Sequence, residues 1–420
     1  MGKETEQKQE IVNQGVHTYS QEESYVWPQE PILREQLEWF QDQKLALMVH
    51  WGVYNQLGMV ASWALSDEDA EWSRKTVDWT DDGEVFKRQY RALNRAFDPV
   101  AFQPEEWAKM AKKCGFRYLI LTTKHHDGFC LWDTAYTEYK TTAEDCPFHT
   151  HKYADIVRAM FDAFRKEGLG IGVYYSKADW HCPDYWEKEK VFTGKTTRNP
   201  TYDPKENPEA WERFRAFTRD QILELGKQYG RLDILWFDAG WVAATNGQDI
   251  RLGEIVEEVR KTQPWVLAVD RTVGGAYENY VTPEMCVPEK PLRVPWESCL
   301  TLGADFNYAY GDHYSSGQYC GEGRKFGIKY KPSARRKDPG GSLGEPAGTG
   351  RVDADIWGSH LWNENLCTVS ERKSGIYAKR RYRLCDPAVS GGKGSSRRET
   401  FDSLSGENPR DFHGRYEERG

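Results

Sequence analysis

One order of segments recurs along the chain and limits its fold more than any other feature. A helical segment is followed by a short, mostly apolar run and then by a polar cluster. The helical segments lie at residues 35–42, 104–113, 154–166, 208–229 and 253–262, and the apolar runs at 45–49, 117–123, 171–176, 234–238 and 266–269. Continuous apolar runs are typical of parallel strands that helices cover on both faces. The order therefore predicts an α/β fold of repeated helix–strand units.

Two architectures repeat such units: a (β/α)8-like, TIM-type barrel and a doubly wound open sheet. The open sheet usually carries a glycine-rich phosphate loop after its first strand, and neither a G-x-G-x-x-G nor a Walker sequence occurs in this chain. The barrel is therefore favoured. Because the C-terminal ends of the strands form the active face of such a barrel, the polar clusters are expected to meet there.

The composition changes near Gln318. The last 100 residues contain 16 of the 37 glycines, and 20 Lys and Arg against 14 Asp and Glu, whereas the whole chain has a net charge of −8. Apolar periodicity is lost in the same stretch, which is typical of low-complexity chain. We predict three parts: an N-terminal polar segment at 1–30, a barrel at 31–318 that is incomplete at its C-terminal end, and a low-order tail rich in Gly, Arg and Ser at 319–420.

The charge and the cysteines argue against several classes of partner. A net charge of −8 provides no basic surface for nucleic acid or for an anionic membrane. No run of 18 apolar residues occurs, and residues 1–23 lack the apolar core of a signal peptide, so a cytoplasmic location is expected. The nine cysteines form no Cys-x-x-Cys pair, which indicates reduced thiols. Seventeen Trp and 23 Tyr suit stacking on sugar rings, although aromatic residues more often pack in cores.

Asp238 ends an apolar strand in which Trp236 stands two residues earlier. A carboxylate in this place can serve a sugar-cleaving enzyme as its nucleophile, and from this segment alone an Asp that caps the next helix is an equally good interpretation. Cleavage of a glycosidic bond requires a second carboxyl group. The chain after the fifth apolar run offers Glu278, Glu284 and Glu297 for that role.

Histidines follow two of the apolar runs. His50 follows the first, and His125 and His126 follow the second, together with Asp127. Such groups bind zinc or iron, hold sugar hydroxyls, or serve as structural hydrogen-bonding groups. Adjacent residues on a strand point to opposite faces, so His125 and His126 can share one metal only where the strand has opened into a loop. We favour binding of sugar hydroxyls, and the metal and structural interpretations stay open.

Four motifs occur in order along the predicted barrel. They are His50-Trp51-Gly52; Lys124-His125-His126-Asp127-Gly128-Phe129 followed by Leu131-Trp132-Asp133; Gly172-Val173-Tyr174-Tyr175-Ser176 followed by Asp179-Trp180; and Leu235-Trp236-Phe237-Asp238. Together they resemble the α-L-fucosidases of glycoside hydrolase family 29, and the likeness extends from about residue 31 to residue 312.

The resemblance implies a retaining exo-hydrolase on a (β/α)8-like barrel that removes terminal α-L-fucose from fucosylated glycans without metal or cofactor. It makes Asp238 the nucleophile and Glu284, in preference to Glu278, the general acid/base. The matching substrate-binding positions are His50, Glu71, Trp72, His125, His126, Tyr174, Trp236 and Arg271. Linkage preference and oligomeric state stay open.

The resemblance stops near residue 318. Members of the family continue with a helix, a Gly-Gly-Asn-containing strand that closes the barrel, and usually a β-sandwich, and none of these is visible in the remaining sequence. We therefore hypothesise that the reading frame shifts near Tyr319. Two alternatives to an active fucosidase remain: a catalytically impaired fucose-binding barrel, and a metal-dependent TIM-barrel hydrolase built on His125, His126 and Asp238.

Overall fold

The computed structural model, which describes residues 19–285 except 70–72, 75, 76 and 78, and beyond them residues 288, 292–301 and 306, contains five parallel strands. The strands form one sheet in chain order. They are β1 (Ala46–Val49), β2 (Tyr118–Lys124), β3 (Gly170–Ser176), β4 (Ile234–Asp238) and β5 (Leu267–Asp270). Each overlaps one predicted apolar run, so the predicted repeat of parallel strands is confirmed.

Seven α-helices accompany the strands within the described residues. They are α1 (Pro31–Gln43), α2 (Gly83–Arg91), α3 (Pro104–Lys113), α4 (Ile156–Lys166), α5 (Lys190–Thr193), α6 (Pro208–Gln228) and α7 (Leu252–Arg260). Proline stands in the first turn of α1, α3 and α6, where its missing N–H has no partner to lose. Helix α2 is not predicted from the sequence, because its buried face includes Lys87 beside Phe86 and Tyr90. None of the helices in the described part of the chain is long and apolar enough to cross a membrane.

Side chains of the strands alternate between two apolar layers. One layer contains Met48, Ile120, Tyr174, Trp236 and Val269 of the strands with Leu37 and Phe40 of α1. The other contains Leu47, Leu119, Val173, Tyr175, Leu235 and Ala268, packed with residues of α3, α4, α6 and α7. Tyr174 and Tyr175 therefore point to opposite faces of the sheet, as the alternation of a strand predicts. The layer that holds Tyr174 and Trp236 lies beneath the polar residues at the strand ends.

The chain before α1 packs against the loop that follows β5. Tyr25 pairs with Gly275, and its hydroxyl donates to the carbonyl of Asn279 at 2.7 Å. Asn279 covers the outer edge of β5, because its backbone N–H donates to Ala268 O and its side-chain oxygen accepts from Ala268 N, both at 2.8 Å. Residues 1–18 of the predicted polar segment, and the whole of the predicted tail at 319–420, lie outside the described residues.

Candidate active site

The C-terminal ends of the five strands bring the predicted site residues together. His50 follows β1, His125 and His126 follow β2, Tyr174 belongs to β3, Asp238 ends β4, and Arg271 follows β5. The His50 ring lies 5.1 Å from the Tyr174 ring and 5.5 Å from the His125 ring, and the rings of His125 and His126 lie 4.1 Å apart. The polar clusters of separate strands therefore form one pocket, because parallel strands end on the same face of the barrel.

Asp238 is bound by side chains from the strands on either side of it. The Tyr174 hydroxyl donates to Asp238 Oδ2 at 2.5 Å, and Arg271 Nη1 donates to Oδ1 at 3.2 Å. Ala239 then adopts a left-handed φ of 67°, which turns the chain away directly after the carboxylate. The interpretation of Asp238 as a helix cap is wrong, since the partners of its carboxylate are these side chains and not the N–H groups of a helix.

The charges around Asp238 keep its carboxylate ionised. Burial alone would raise the pKa of Asp238, but the adjacent Arg271 guanidinium and the Tyr174 hydrogen bond outweigh burial and hold the pKa well below its usual range. Burial, together with the same carboxylate, raises the pKa of the Tyr174 hydroxyl, which therefore stays protonated as a donor. Asp238 is thus an ionised, oriented and partly exposed carboxylate, the form that a nucleophile requires.

The two histidines after β2 share one side because the strand ends before them. β2 finishes at Lys124, and Gly128 has a left-handed φ of 81° in the turn that follows. A Cβ on Gly128 would lie 2.4 Å from Asp179 Oδ1, so this close approach requires glycine. His125 and His126 thus lie in a loop, where side chains no longer alternate between opposite faces of a strand, and both can face the pocket.

The hydrogen bonds of His126 define which of its nitrogens faces the pocket. Ser176 Oγ donates its hydrogen to the carbonyl of Ala178 at 2.6 Å, so it accepts from His126 Nδ1 at 2.7 Å. Nε2 then carries the lone pair, lies 4.0 Å from Asp238 Oδ2, and has no hydrogen-bond partner among the described residues. Burial and the neighbouring His125 lower the pKa of His126 well below its usual value. His126 is therefore a neutral imidazole with an acceptor available to a ligand hydroxyl.

Three indole rings surround His126. The rings of Trp63, Trp180 and Trp241 lie 4.8, 5.1 and 5.1 Å from its ring. Trp63 is not predicted from the sequence, because it lies in a short 3-10 turn that shows no periodic pattern. Trp241 follows Asp238 closely in the chain, and that proximity is the sequence signal that identifies it as a residue of the pocket. The rings of Trp63, Trp180 and Trp241 form an apolar wall of the pocket next to its polar groups.

Arg271 contacts both Asp238 and Glu284, the glutamate that the sequence favours as the second carboxyl group. Its Nη1 contacts Asp238, and its Nη2 contacts Glu284 Oε2. Glu284 is buried and is held by backbone pairing with Cys299. Of the three glutamates considered from the sequence, Glu284 is the one that shares a partner with Asp238.

The two other glutamates are bound to local structure. Glu278 accepts from the backbone N–H groups of Thr272 at 3.1 Å and Gly274 at 2.7 Å, and so holds the loop after β5. Burial raises its pKa to about 7. Glu297 accepts from the Trp236 indole N–H at 3.0 Å and from the Tyr118 hydroxyl at 2.7 Å, inside the layer beneath the pocket. Both glutamates have structural partners that explain their burial.

The remaining predicted binding positions fall into two groups. Trp236 stacks on Tyr174 with ring centres 5.2 Å apart, and the Arg271 guanidinium lies 5.2 Å from the Trp236 ring. Trp236 thus supports the floor of the pocket. Glu71 and Trp72 lie outside the described residues.

A group with metal-binding atoms is also present. His125, His126 and Asp238 each offer one ligand atom within 4.8 Å of the others. Asp127, the third residue of the metal interpretation made from the sequence, binds elsewhere: it accepts from the Tyr90 hydroxyl at 2.8 Å. The charge of Arg271, 3.2 Å from Asp238, opposes a cation at this place.

Comparison with known proteins identifies the family. Residues 12–319 match the family model described as alpha-L-fucosidase. The chain belongs to the α-L-fucosidase family. The family match ends at residue 319, next to the boundary predicted from composition, and it includes every described residue of the pocket.

Solved fucosidase structures show the same fold. The chain is 30% identical to α-L-fucosidase isoenzyme 1 from Paenibacillus thiaminolyticus, with a TM-score of 0.54, covering 67% of this chain and 64% of that chain. It is 26% identical to an unliganded α-L-fucosidase from Lactobacillus casei, with a TM-score of 0.50, covering 67% and 83%. The predicted (β/α)8-like fold is therefore confirmed.

The curated relatives are longer than the matched region. The chain is 26% identical over 267 residues to the plasma α-L-fucosidase of Homo sapiens, covering 63% of this chain and 53% of the relative. The chain thus spans about half the length of the curated relatives it matches.

Proposed function

We propose that this chain hydrolyses terminal α-L-fucosides by a double displacement that retains the configuration at the anomeric carbon. The observation that carries the proposal is the position of Asp238, an ionised carboxylate at a strand end that shares Arg271 with Glu284. Family membership supports fucose as the sugar.

In the first step Asp238 attacks the anomeric carbon and forms a covalent bond to it, while the bond from that carbon to the leaving oxygen breaks. Glu284 gives its proton to the leaving oxygen. In the second step Glu284 takes a proton from water, the water oxygen attacks the same carbon, and Asp238 is released as a carboxylate. The two inversions together retain the configuration.

Arg271 has a part in both steps. Its ion pair with Glu284 has the carboxylate as partner, which is the form that accepts the proton of water in the second step. The first step needs protonated Glu284. We infer that Arg271 withdraws from Glu284 and stays with Asp238 when the sugar occupies the pocket.

The rest of the pocket suits recognition of a deoxy sugar. The neutral His126 accepts one sugar hydroxyl at Nε2, and His50 and His125 lie beside it for the other hydroxyls. The methyl group that distinguishes fucose needs an apolar surface, which the wall of Trp63, Trp180 and Trp241 provides.

The test is hydrolysis of an aryl α-L-fucoside by this chain, followed by proton NMR in the first minutes of reaction. We expect α-L-fucose as the first anomer formed. First formation of the β anomer would contradict the double displacement and leave the substrate class intact. Binding of fucose without turnover would support the impaired binding barrel instead.

A metal-dependent hydrolase is the second candidate, and the spacing of His125, His126 and Asp238 is the observation that favours it. The two candidates respond in opposite ways to metal. If the proposed mechanism holds, a strong chelator leaves the aryl-fucosidase rate unchanged, and added Zn²⁺ does not raise it. Loss of activity with chelator and its recovery with Zn²⁺ would favour the metal-dependent enzyme.

A further inference from the structure

A second cleft contains several arginines. Its volume is about 460 Å³, and it lies at the C-terminal end of α2 beside Tyr139 and His181. Arg88, Arg91 and Arg95 all line it. None of them belongs to the pocket around Asp238, so their clustering needs a separate explanation.

Arg91 is the central charge of this cleft and lacks an acidic partner. Its Nη2 donates to the carbonyl of Trp180, and its Nε is buried without a hydrogen-bond partner among the described residues. Asp179, which attracts it electrostatically, is already bound by Lys124 at 2.8 Å. A buried charge that has no paired counter-charge costs free energy, and a bound anion would remove that cost.

Tyr139 offers a second donor in the same cleft. Its side chain is 5% exposed, and its hydroxyl is buried with no hydrogen-bond partner among the described residues. Its ring stacks on that of His181, with centres 4.1 Å apart and planes at 7°. Burial and the charge of Arg91 lower the pKa of His181 to about 4, so at neutral pH this imidazole adds a donor and no charge.

The other arginines of the cleft, Arg88 and Arg95, have carboxylate partners. Arg88 and Arg91 lie 4.0 and 5.3 Å from the centre of the same Phe192 ring, so their like charges repel. Of the two acids that line the cleft, Asp145 accepts from Asn94 at 2.8 Å and lies 3.8 Å from Arg95, and Glu138 is exposed. Arg88 is itself paired with Glu84 at 2.7 Å, so Arg91 is the guanidinium of this cleft that has no carboxylate partner among the described residues, which favours an anionic ligand.

We propose that this cleft binds a small oxyanion, either as a free ion or as a sulfate or phosphate group carried on a glycan, with Arg91 and Tyr139 as its main donors. Guanidinium and hydroxyl groups are the usual partners of such oxygens. The site also borders the fucose pocket, because Arg91 donates to the carbonyl of Trp180 while the N–H of Trp180 donates to the carbonyl of His126 at 2.7 Å.

Calorimetric titration of the full chain with sodium sulfate, at constant ionic strength, tests the proposal. We expect saturable binding to one site. Tyr139→Phe keeps the ring stack and should weaken binding about three- to tenfold. Arg91→Gln should weaken it by about tenfold or more. Arg219→Gln, an exposed arginine on α6, makes the same charge change elsewhere and should leave the affinity unchanged.

Inorganic sulfate is compared with N-acetylglucosamine 6-sulfate. Tighter binding of the sulfated sugar assigns the site to a glycan, and equal affinity assigns it to a free ion. Heat without saturation, or an affinity that neither Tyr139→Phe nor Arg91→Gln changes, would overturn the proposal. If Arg91→Gln fails to fold, Tyr139→Phe decides alone. Because the measurement involves no turnover, its result is independent of the proposed hydrolase activity.

Discussion

Asp179 and Asp238 both have basic partners, and the number of those partners decides what each carboxylate can do. Asp179 is paired with Lys124 at 2.8 Å, which neutralises it within the structure. Asp238 instead shares its arginine with Glu284 and lies 4.0 Å from the available Nε2 of His126. The ion pair of Asp179 with Lys124 stabilises the fold. The group around Asp238 keeps His126 Nε2 as an acceptor and Glu284 as a second carboxyl group for proton transfer.

Replacement of Asp238 by Asn should remove turnover and preserve the fold. The amide keeps the size of the side chain but is a poor nucleophile, so kcat for an aryl α-L-fucoside should fall by at least about a thousandfold. Circular dichroism and the midpoint of thermal unfolding monitor the fold. The control is Asp162→Asn, on the exposed side of α4, which should keep full activity. Substantial activity in Asp238→Asn would remove this residue from the nucleophile role.

The choice between Glu284 and Glu278 can be made with leaving groups of different basicity. An enzyme without its general acid cleaves fucosides of acidic phenols better than those of weakly acidic phenols, because only the latter need protonation. Glu284→Gln should therefore lower kcat/KM steeply for poor leaving groups and mildly for good ones. Glu278→Gln should keep the ratio of the intact chain. The reverse pattern would transfer the acid/base role to Glu278.

At the scale of elements, the loop after β5 depends on a buried acid. The carboxylate of Glu278 accepts from the backbone N–H groups of Thr272 and Gly274, and burial raises its pKa from 4.5 to about 7. The folded state therefore binds a proton more tightly than the unfolded state does. Its contribution to stability is complete below pH 4.5 and is lost as the pH rises to about 7.

Chemical unfolding between pH 4.5 and 8 measures this contribution. The free energy of unfolding should fall with rising pH, with a share from Glu278 of up to about 3 kcal/mol. Glu278→Gln should remove that share and flatten the profile. Glu84→Gln, an exposed glutamate on α2, serves as the control and should leave the profile unchanged. An equally steep profile in Glu278→Gln would contradict the raised pKa.

The turn after β2 requires glycine for two reasons that a pair of variants separates. Gly128 and Gly115 both have left-handed φ, 81° and 88°, but a Cβ at Gly115 meets nothing within 4 Å, whereas one at Gly128 lies 2.4 Å from Asp179 Oδ1. Gly115→Ala should cost about 1–2 kcal/mol of unfolding free energy from backbone strain.

Gly128→Ala should cost about 1–3 kcal/mol more, because Asp179 is held by Lys124 and cannot give way. It should also raise KM for the fucoside, since His126 is displaced. Urea unfolding and steady-state kinetics provide the two measurements. Equal losses of stability in the two variants would show that the contact with Asp179 is unimportant.

At the scale of the whole molecule, the described site lies before the predicted tail, and the family match ends at the first residue of that tail. Every described site residue lies before residue 285, and the family match ends at residue 319. A chain shortened to residues 1–318 should therefore keep the aryl-fucosidase rate and thermal midpoint of the full chain within about twofold and a few degrees. Loss of activity on shortening would show that residues 319–420 contribute to the pocket. The proposed frame shift near Tyr319 stays a prediction that sequencing of the locus decides.

The sequence predicted the parallel strands to within a few residues, as well as the meeting of His50, His125, Tyr174 and Asp238. These features are local: an apolar run marks a buried strand, the residue after it lies at the strand end, and alternation separates Tyr174 from Tyr175. Helix α2 could not be predicted in this way, because its buried face includes the charged residue Lys87 and so lacks a clear apolar pattern.

Tertiary structure alone decided what those residues contact. Arg271 joins Asp238 to Glu284, and Ser176 on the neighbouring strand sets which nitrogen of His126 faces the pocket. Trp63 packs against His126 in the same pocket, although it lies in a short turn that has no apolar periodicity. Such pairings depend on the path of loops between strands, and loop paths follow from packing across the whole barrel, whereas strands follow from the spacing of neighbouring residues.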